Sequence, residues 1–206
     1  MRIAVFGGSF NPVHIGHLAL ADDLRASLGY DRVILVPANV PPHKAMASGA
    51  TAADRLAMLA LACEGSDFLE YDDCEIARGG VSYTIETIRY LTEKNRSRLT
   101  GKLGFAFGQD LVAGFGSWRD PDSVAREADL ILARRPNQEG ASAVTAVPAA
   151  TAVPVATFPW RHIKLDNPLL PISSSEIRAR ISSGKGWRYL VPEGVYRYIV
   201  DHGLYE

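Results

Sequence analysis

The chain has 206 residues, 47% of them hydrophobic, and a formal net charge of −1. That is enough apolar material for a buried core without disulfides, and it leaves no global basic field to hold nucleic acid or an anionic membrane surface. No stretch approaches the roughly 20 apolar residues a spanning helix needs, and the opening MRIAVFGGSF is too short an apolar run for a secretory leader. A cytoplasmic protein of one domain, residues 1–206, is expected, with no nucleic-acid or membrane partner.

In chain order, Arg2 to Phe6 reads as a short buried strand ending at Gly7-Gly8. Ile15 to Leu28 reads as a helix with Ile15, Leu18, Ala21, Leu24 and Leu28 on its apolar face and Gly29 as its stop. Arg32 to Pro37 is a second strand, nearly all apolar, as expected where both faces are covered. The alternation goes on: a helix over 54–63, a strand over 68–75, a helix over 84–94, a strand over 103–107, a short helix over 121–128 and a strand over 130–134. This is the pattern of an α/β doubly wound, Rossmann-like open parallel sheet with helices on both faces. Residues 137–157 are rich in Ala, Val, Thr and Pro and read as an insertion or long connection carrying no chemistry. A last strand over 162–165 and helices over 174–183 and 192–202 complete the chain.

The most informative segment is Gly7-Gly8-Ser9-Phe10-Asn11-Pro12-Val13-His14-Ile15-Gly16-His17, between the first strand and the first helix. In an open α/β sheet, ligands bind there, beyond the carboxyl ends of the strands. The glycines let backbone approach a ligand closely, and a helix N-terminus presents free amides and positive dipole to an anion. His14 and His17, three residues apart, share one face of the helix start. No third Cys, His or Asp stands at a convincing zinc spacing, so no protein-held metal is expected. Two imidazoles beside phosphate fit better, since charged or neutral donors both stabilise a transferring phosphoryl group. A second segment, Ile172-Ser173-Ser174-Ser175-Glu176-Ile177-Arg178, matches a capping box at Ser173 and Glu176. Its hydroxyls and exposed amides form a candidate anion cradle, with Arg178 one turn on as a bidentate fork.

Together these two segments resemble the nucleotidyltransferase superfamily, marked by His-x-Gly-His early and Ile-Ser-Ser/Ala-x-x-Ile-Arg late. Within it the chain resembles the bacterial nicotinate-nucleotide adenylyltransferases, on the further evidence of Asn39-Val40-Pro41-Pro42-His43-Lys44, Ser82-Tyr83-Thr84, Gly108-Gln109-Asp110, Trp118, Arg134-Arg135-Pro136 and the ending Asp201-His202-Gly203-Leu204-Tyr205. Asn11 departs from the pattern, standing where Asp is common. The resemblance implies attack by the phosphate of nicotinate mononucleotide on the α-phosphorus of ATP, with magnesium as the ATP counter-ion. It implies that His14, His17, Lys44 and Arg178 act on the phosphates, and that Gly8, Ser9, Phe10, Ile172, Ser173 and Ser174 help hold ATP. Gly108 and Asp110 would take the adenosine ribose or base. Trp118 would stack on the pyridine ring beside Tyr83 and Thr84, whose amides face the acceptor carboxylate. Asn39 and His43 would line the mononucleotide side, and Arg134 would support phosphate or ribose. Transfer to nicotinamide mononucleotide or phosphopantetheine, and a non-catalytic nucleotide-binding module, are the alternatives. The oligomeric state is not readable from the sequence.

Overall fold

The computed structural model describes residues 1–40, 49–135 and 158–206. The expected insertion at 137–157, and Pro41 to Lys44 with its expected roles for His43 and Lys44, lie outside the described residues.

Six parallel strands form one sheet: β1 (Ile3–Gly8), β2 (Arg32–Pro37), β3 (Leu69–Tyr71), β4 (Leu103–Gly108), β5 (Ala128–Ala133) and β6 (His162–Leu165), in the order β3-β2-β1-β4-β5-β6. The order reverses between β1 and β4, so a crevice opens beyond their carboxyl ends. The registers bring these ends level: Gly8 pairs with Pro37 across β1 and β2, and Gly108 with Ala133 across β4 and β5. One rim therefore carries the loops that follow all four central strands.

The helices are α1 (Ile15–Leu28), α2 (Ala52–Cys63), α3 (Cys74–Arg78), α4 (Thr84–Lys94), α5 (Pro121–Glu127), α6 (Ser174–Ser182) and α7 (Glu193–Asp201), with a 3-10 run over Gln109–Ser117. Alternation along each strand sends successive side chains to opposite faces. Ala4, Phe6, Val33 and Leu35 pack with Ala21, Leu24, Met58, Ile177, Val195 and Ile199, so α1, α2, α6 and α7 cover one face. Ile3, Val5, Phe105 and Phe107 pack with Ile85, Ile88, Leu91 and Val124, so α4 and α5 cover the other. Among the described residues no helix is long and apolar enough to cross a membrane.

Most boundaries fall within one or two residues of expectation, and three of the differences bear on the site or have a local cause. The strand expected over 68–75 stops at Tyr71, and a short helix begins at Cys74. Asp72 ends it: its buried carboxylate accepts from the Cys74 amide at 2.9 Å and from Lys94 Nζ at 2.7 Å, a local turn that a ladder cannot accommodate. Helix α2 starts two residues before Asp54, because Thr51 caps it. Thr51 Oγ1 accepts from the Asp54 amide at 3.1 Å, and the Asp54 carboxylate accepts from the Thr51 amide at 2.7 Å. Strand β5 runs from Ala128 to Ala133 rather than from Leu130 to Arg134. Its end places Arg134 and Arg135 beyond the sheet.

Candidate active site at the carboxyl rim of the sheet

His14 is the N-cap of α1, extended at φ −147° and ψ 169°, and His17 occupies the third helical position. The His14 amide donates to His17 Nδ1 at 3.2 Å. An accepting Nδ1 cannot carry a proton, so the neutral His17 ring holds its proton on Nε2, which is its one donor. The two imidazoles stack with centroids 3.6 Å apart and planes 25° apart. Gly16 makes this possible: a Cβ there would lie 3.1 Å from both Nδ1 and Cε1 of His14 and 4.0 Å from the carbonyl of Ile172. Phe10 packs its edge against His17 at 4.9 Å and Phe6 lies at 5.8 Å.

Burial, and then the Arg135 charge, lower the His14 imidazole to about 4, while His17 is held well below its ordinary value by burial, His14 and Arg135. At neutral pH both rings are neutral. His14 is only 5% exposed, and its Nδ1 is buried with no hydrogen-bond partner among the described residues. A buried unpaired ring nitrogen is costly unless function supplies its partner.

Phe10 was expected to help hold ATP, but its ring is 1% exposed. It lies under the loop, and a Cβ on Gly8 would come within 3.1–3.3 Å of it. The ring is a pedestal for the loop and for His17, which leaves Phe10 only its backbone for a ligand.

The late helix docks directly on this loop. Ser173 caps α6, accepting from the Glu176 amide at 3.1 Å. The expected capping box is only half formed, because the Glu176 carboxylate turns to Arg180 at 2.9 Å instead. The serine hydroxyls are largely engaged by protein rather than aimed at a ligand. Ser174 Oγ donates to the Pro12 carbonyl at 2.9 Å, and Ser175 Oγ accepts from Arg178 Nη2 at 3.1 Å. Arg178 Nη1 donates to the Asn11 carbonyl at 2.6 Å, so the expected phosphate fork is spent on the scaffold in this structure. Tyr205 donates to Asn11 Oδ1 at 2.6 Å, and the last residues thereby brace the first loop. The Asn11 carbonyl oxygen supplies the acceptor for Tyr205 at this position.

Beyond β4 and β5, Gly108 leaves room for an ion pair between Asp110 and Arg135 at 3.1 Å, both of which a Cβ at 108 would strike. Arg135, not Arg134, turns its charge toward the histidines. Arg134 pairs with Asp166, and its backbone is held on both sides by Asn167, which accepts from its amide at 2.8 Å and donates to its carbonyl at 3.1 Å. The structure does not bring the Arg134 side chain into the site.

On the other flank, residues 38–40 are zipped to 80–82. The Asn39 amide donates to Ser82 Oγ at 3.0 Å, Asn39 Nδ2 donates to the Gly80 carbonyl at 2.9 Å, and Val40 bridges to Val81. The Asn39 side chain thus shapes its loop. Tyr83 caps α4 without a side-chain hydrogen bond, and Thr84 opens the helix. Trp118 is half-buried on an aromatic stack of Phe115 at 4.8 Å, Phe107 at 5.5 Å and Phe105 at 6.2 Å. Its neighbour Arg119 lies 4.5 Å over the Tyr83 ring and pairs with Glu86 at 2.8 Å, so Trp118 and the α4 N-terminus belong to one wall.

Sequence reasoning passed over two residues. Arg135 was overlooked beside its neighbour, although the Arg-Arg pair marked the place. Arg55 sits on the first turn of α2 and is 2% exposed, with Nη1 donating to the carbonyls of Ser9 at 3.0 Å and Ala38 at 2.7 Å. Its one signal was its position as the sole cation in the apolar helix AADRLAMLALAC. Among the described residues no cluster of three or more His, Cys, Asp or Glu is arranged to hold a metal ion.

A model of the family described as cytidylyltransferase-like matches residues 5–180. The chain is 41% identical over its full length, and over 99% of the relative, to a Treponema pallidum protein named "probable nicotinate-nucleotide adenylyltransferase". A Borreliella afzelii protein of the same name is 40% identical over all of this chain and 97% of its own. The structure of Plasmodium falciparum nicotinic acid mononucleotide adenylyltransferase, complexed with NaAD, superposes with a TM-score of 0.73 at 18% identity, covering 99% of this chain and 97% of that one. At that identity the likeness is one of fold.

Proposed function

The chain belongs to the cytidylyltransferase-like family, and we infer that it transfers the adenylyl group of ATP to nicotinate mononucleotide, giving nicotinic acid adenine dinucleotide and pyrophosphate on the route to NAD. The observation that carries this reading is the stacked, neutral His14–His17 pair at the N-terminus of α1, set at the switch point of the sheet and braced by α6.

In the reaction, a phosphate oxygen of the acceptor attacks the α-phosphorus, and the bond to the bridging oxygen breaks to release pyrophosphate. The nucleophile is already an anion, so no side chain need be activated, and the work is positioning and charge stabilisation. The amide of Ser9 and the Nε2–H of His17 are the donors assigned to the phosphates, with His14 beside them, whereas the Gly8 amide expected to join them is held in the β1–β2 ladder, so that Gly8 offers only its lack of a side chain. Arg178 and Lys44 supply positive charge. The amides opening α6 at Ser174 complete the cradle, with Ile172 and Ser173 fixing its approach. Gly108 and Asp110 receive the adenosine, and Arg135 replaces Arg134 as the cation on that side.

Acceptor recognition falls to Trp118 for the pyridine ring and to the first amides of α4, at Tyr83 and Thr84, for the carboxylate. Asn39 and His43 flank the mononucleotide. Magnesium fits as the partner of ATP: Asp110 is engaged by Arg135, so phosphate oxygens and water would be the main ligands, and the ion would offset phosphate charge. The reading places the protein in the cytoplasm.

The test is pyrophosphate release from ATP and magnesium with nicotinate mononucleotide and nicotinamide mononucleotide in parallel. Fast release with the first and slow release with the second is expected. Equal rates would widen the acceptor range, and release with neither would refute the reaction.

A further inference from the structure

Arg55 is a buried cation that takes no direct part in the site described above. It is 2% exposed, its Nε is buried with no hydrogen-bond partner, and no carboxylate pairs with it among the described residues. Its neighbour Asp54 is turned away, binding Thr51 and Tyr198. Of the segments outside the described residues, 41–48 (PPHKAMAS) holds no acid and 136–157 holds one, Glu139. Burial pushes the guanidinium down from its ordinary value, with Tyr205 acting more weakly the other way. A buried charge left without a counter-ion is costly, and such an arrangement persists where the functional state supplies the opposite charge.

Its two hydrogen bonds show what it holds. One goes to Ser9, in the loop after β1 that presents amides to phosphate. The other goes to Ala38, where the loop after β2 turns toward Asn39. A single side chain thus ties together the loops that follow two adjacent strands, β1 and β2. A cationic donor on a carbonyl also polarises its peptide unit and strengthens the amide at the far end, here Phe10 N–H and Asn39 N–H.

We propose that Arg55 is a positioning residue for adenylyl transfer: it fixes the spacing between the ATP loop and the acceptor loop, and it holds a positive charge, unpaired among the described residues, behind the phosphate-binding loop. The polyphosphate of the substrate is then its counter-ion. In-line transfer is sensitive to misplacements of about 1 Å, so a strut between the two loops bears on turnover as well as on binding.

The experiment compares Arg55→Lys, which keeps the charge, with Arg55→Gln and Arg55→Met, which remove it. Each is assayed as the full-length protein after its melting temperature has been recorded. Two quantities are read per folded molecule: the Kd of inorganic pyrophosphate by calorimetry, and kcat with nicotinate mononucleotide. Arg55→Gln and Arg55→Met should raise the pyrophosphate Kd at least fivefold and lower kcat at least tenfold, with Arg55→Lys within threefold of wild type on both. Should one neutral variant fail to fold, the other carries the comparison. Neutral variants within twofold of wild type, or an Arg55→Lys as impaired as they are, would overturn the proposal. The kcat arm rests on the assigned reaction, whereas the pyrophosphate arm does not. A wild type that binds pyrophosphate but turns over no acceptor would count against the reaction while leaving Arg55 still tested.

Discussion

Removing the His14 imidazole should remove a measurable part of the protein's acid sensitivity. In the folded state burial, helped by Arg135, lowers this group from 6.5 to about 4. The fold therefore prefers the neutral ring, and the stability this gives is complete above about pH 6.5 and is lost as the pH falls toward 4. Between pH 7.5 and 5.0 the unfolded chain takes up nearly one more proton at this position than the folded chain does, worth about 2 kcal/mol. Urea unfolding of wild type and His14→Gln at the two pH values reads this difference directly. Groups away from the pair contribute alike to both proteins and cancel, while His17 loses the part of its depression that His14 causes, so the wild type should lose at least about 2 kcal/mol more than the variant over this interval. Equal losses in the two proteins would refute the reasoning, because they would mean the ring is not held neutral by the fold. A polyphosphate bound beside the pair should oppose the depression, since a nearby anion favours the charged imidazole.

Gly16→Ala should lower kcat by at least about tenfold with a small change in melting temperature, since a Cβ 3.1 Å from the His14 ring displaces it from a preorganised position. His17→Ala should cost on the order of a hundredfold in kcat, as removal of a preorganised donor does, and a near-normal rate would take His17 out of the mechanism. Arg135→Ala should raise the KM for ATP several-fold while Arg134→Ala leaves it unchanged, because only the former faces the histidines. Steady-state kinetics on the pair decides between them.

How far the sequence revealed this molecule depended on whether the deciding interaction was local. The bounds of α1 could be read closely because Gly29, at φ 69°, stops it with its own backbone. Those of β2 and α4 were readable for a similar reason, since apolar period and flanking turn residues sit within a few positions of each end. The edge of β3 was misjudged because the Asp72 carboxylate, besides its local bond to the Cys74 amide, is held by Lys94, 22 residues further on. The histidine pair was legible because one loop and one helix start contain all of it.

The late helix shows the opposite case. Three serines and an arginine at the start of α6 read as ligand-facing groups, and two of them, Ser174 and Arg178, instead partner Pro12 and Asn11, 162 and 167 positions away in the chain. No local signal distinguishes a hydroxyl that meets phosphate from one that meets a distant carbonyl. The two arginines after β5 pose the same problem at smaller scale. Neighbouring residues in extended backbone point to opposite sides, so a strand end misplaced by one residue exchanges the arginine that faces the site for the one that pairs with Asp166. Arg55 extends the argument. A lone cation in an amphipathic helix reads as solvated, and only the docking of α2 beneath two loops makes it a buried charge. Chemistry shared between distant segments is therefore where sequence reading is weakest, and the second half of the proposed phosphate site is built from such segments.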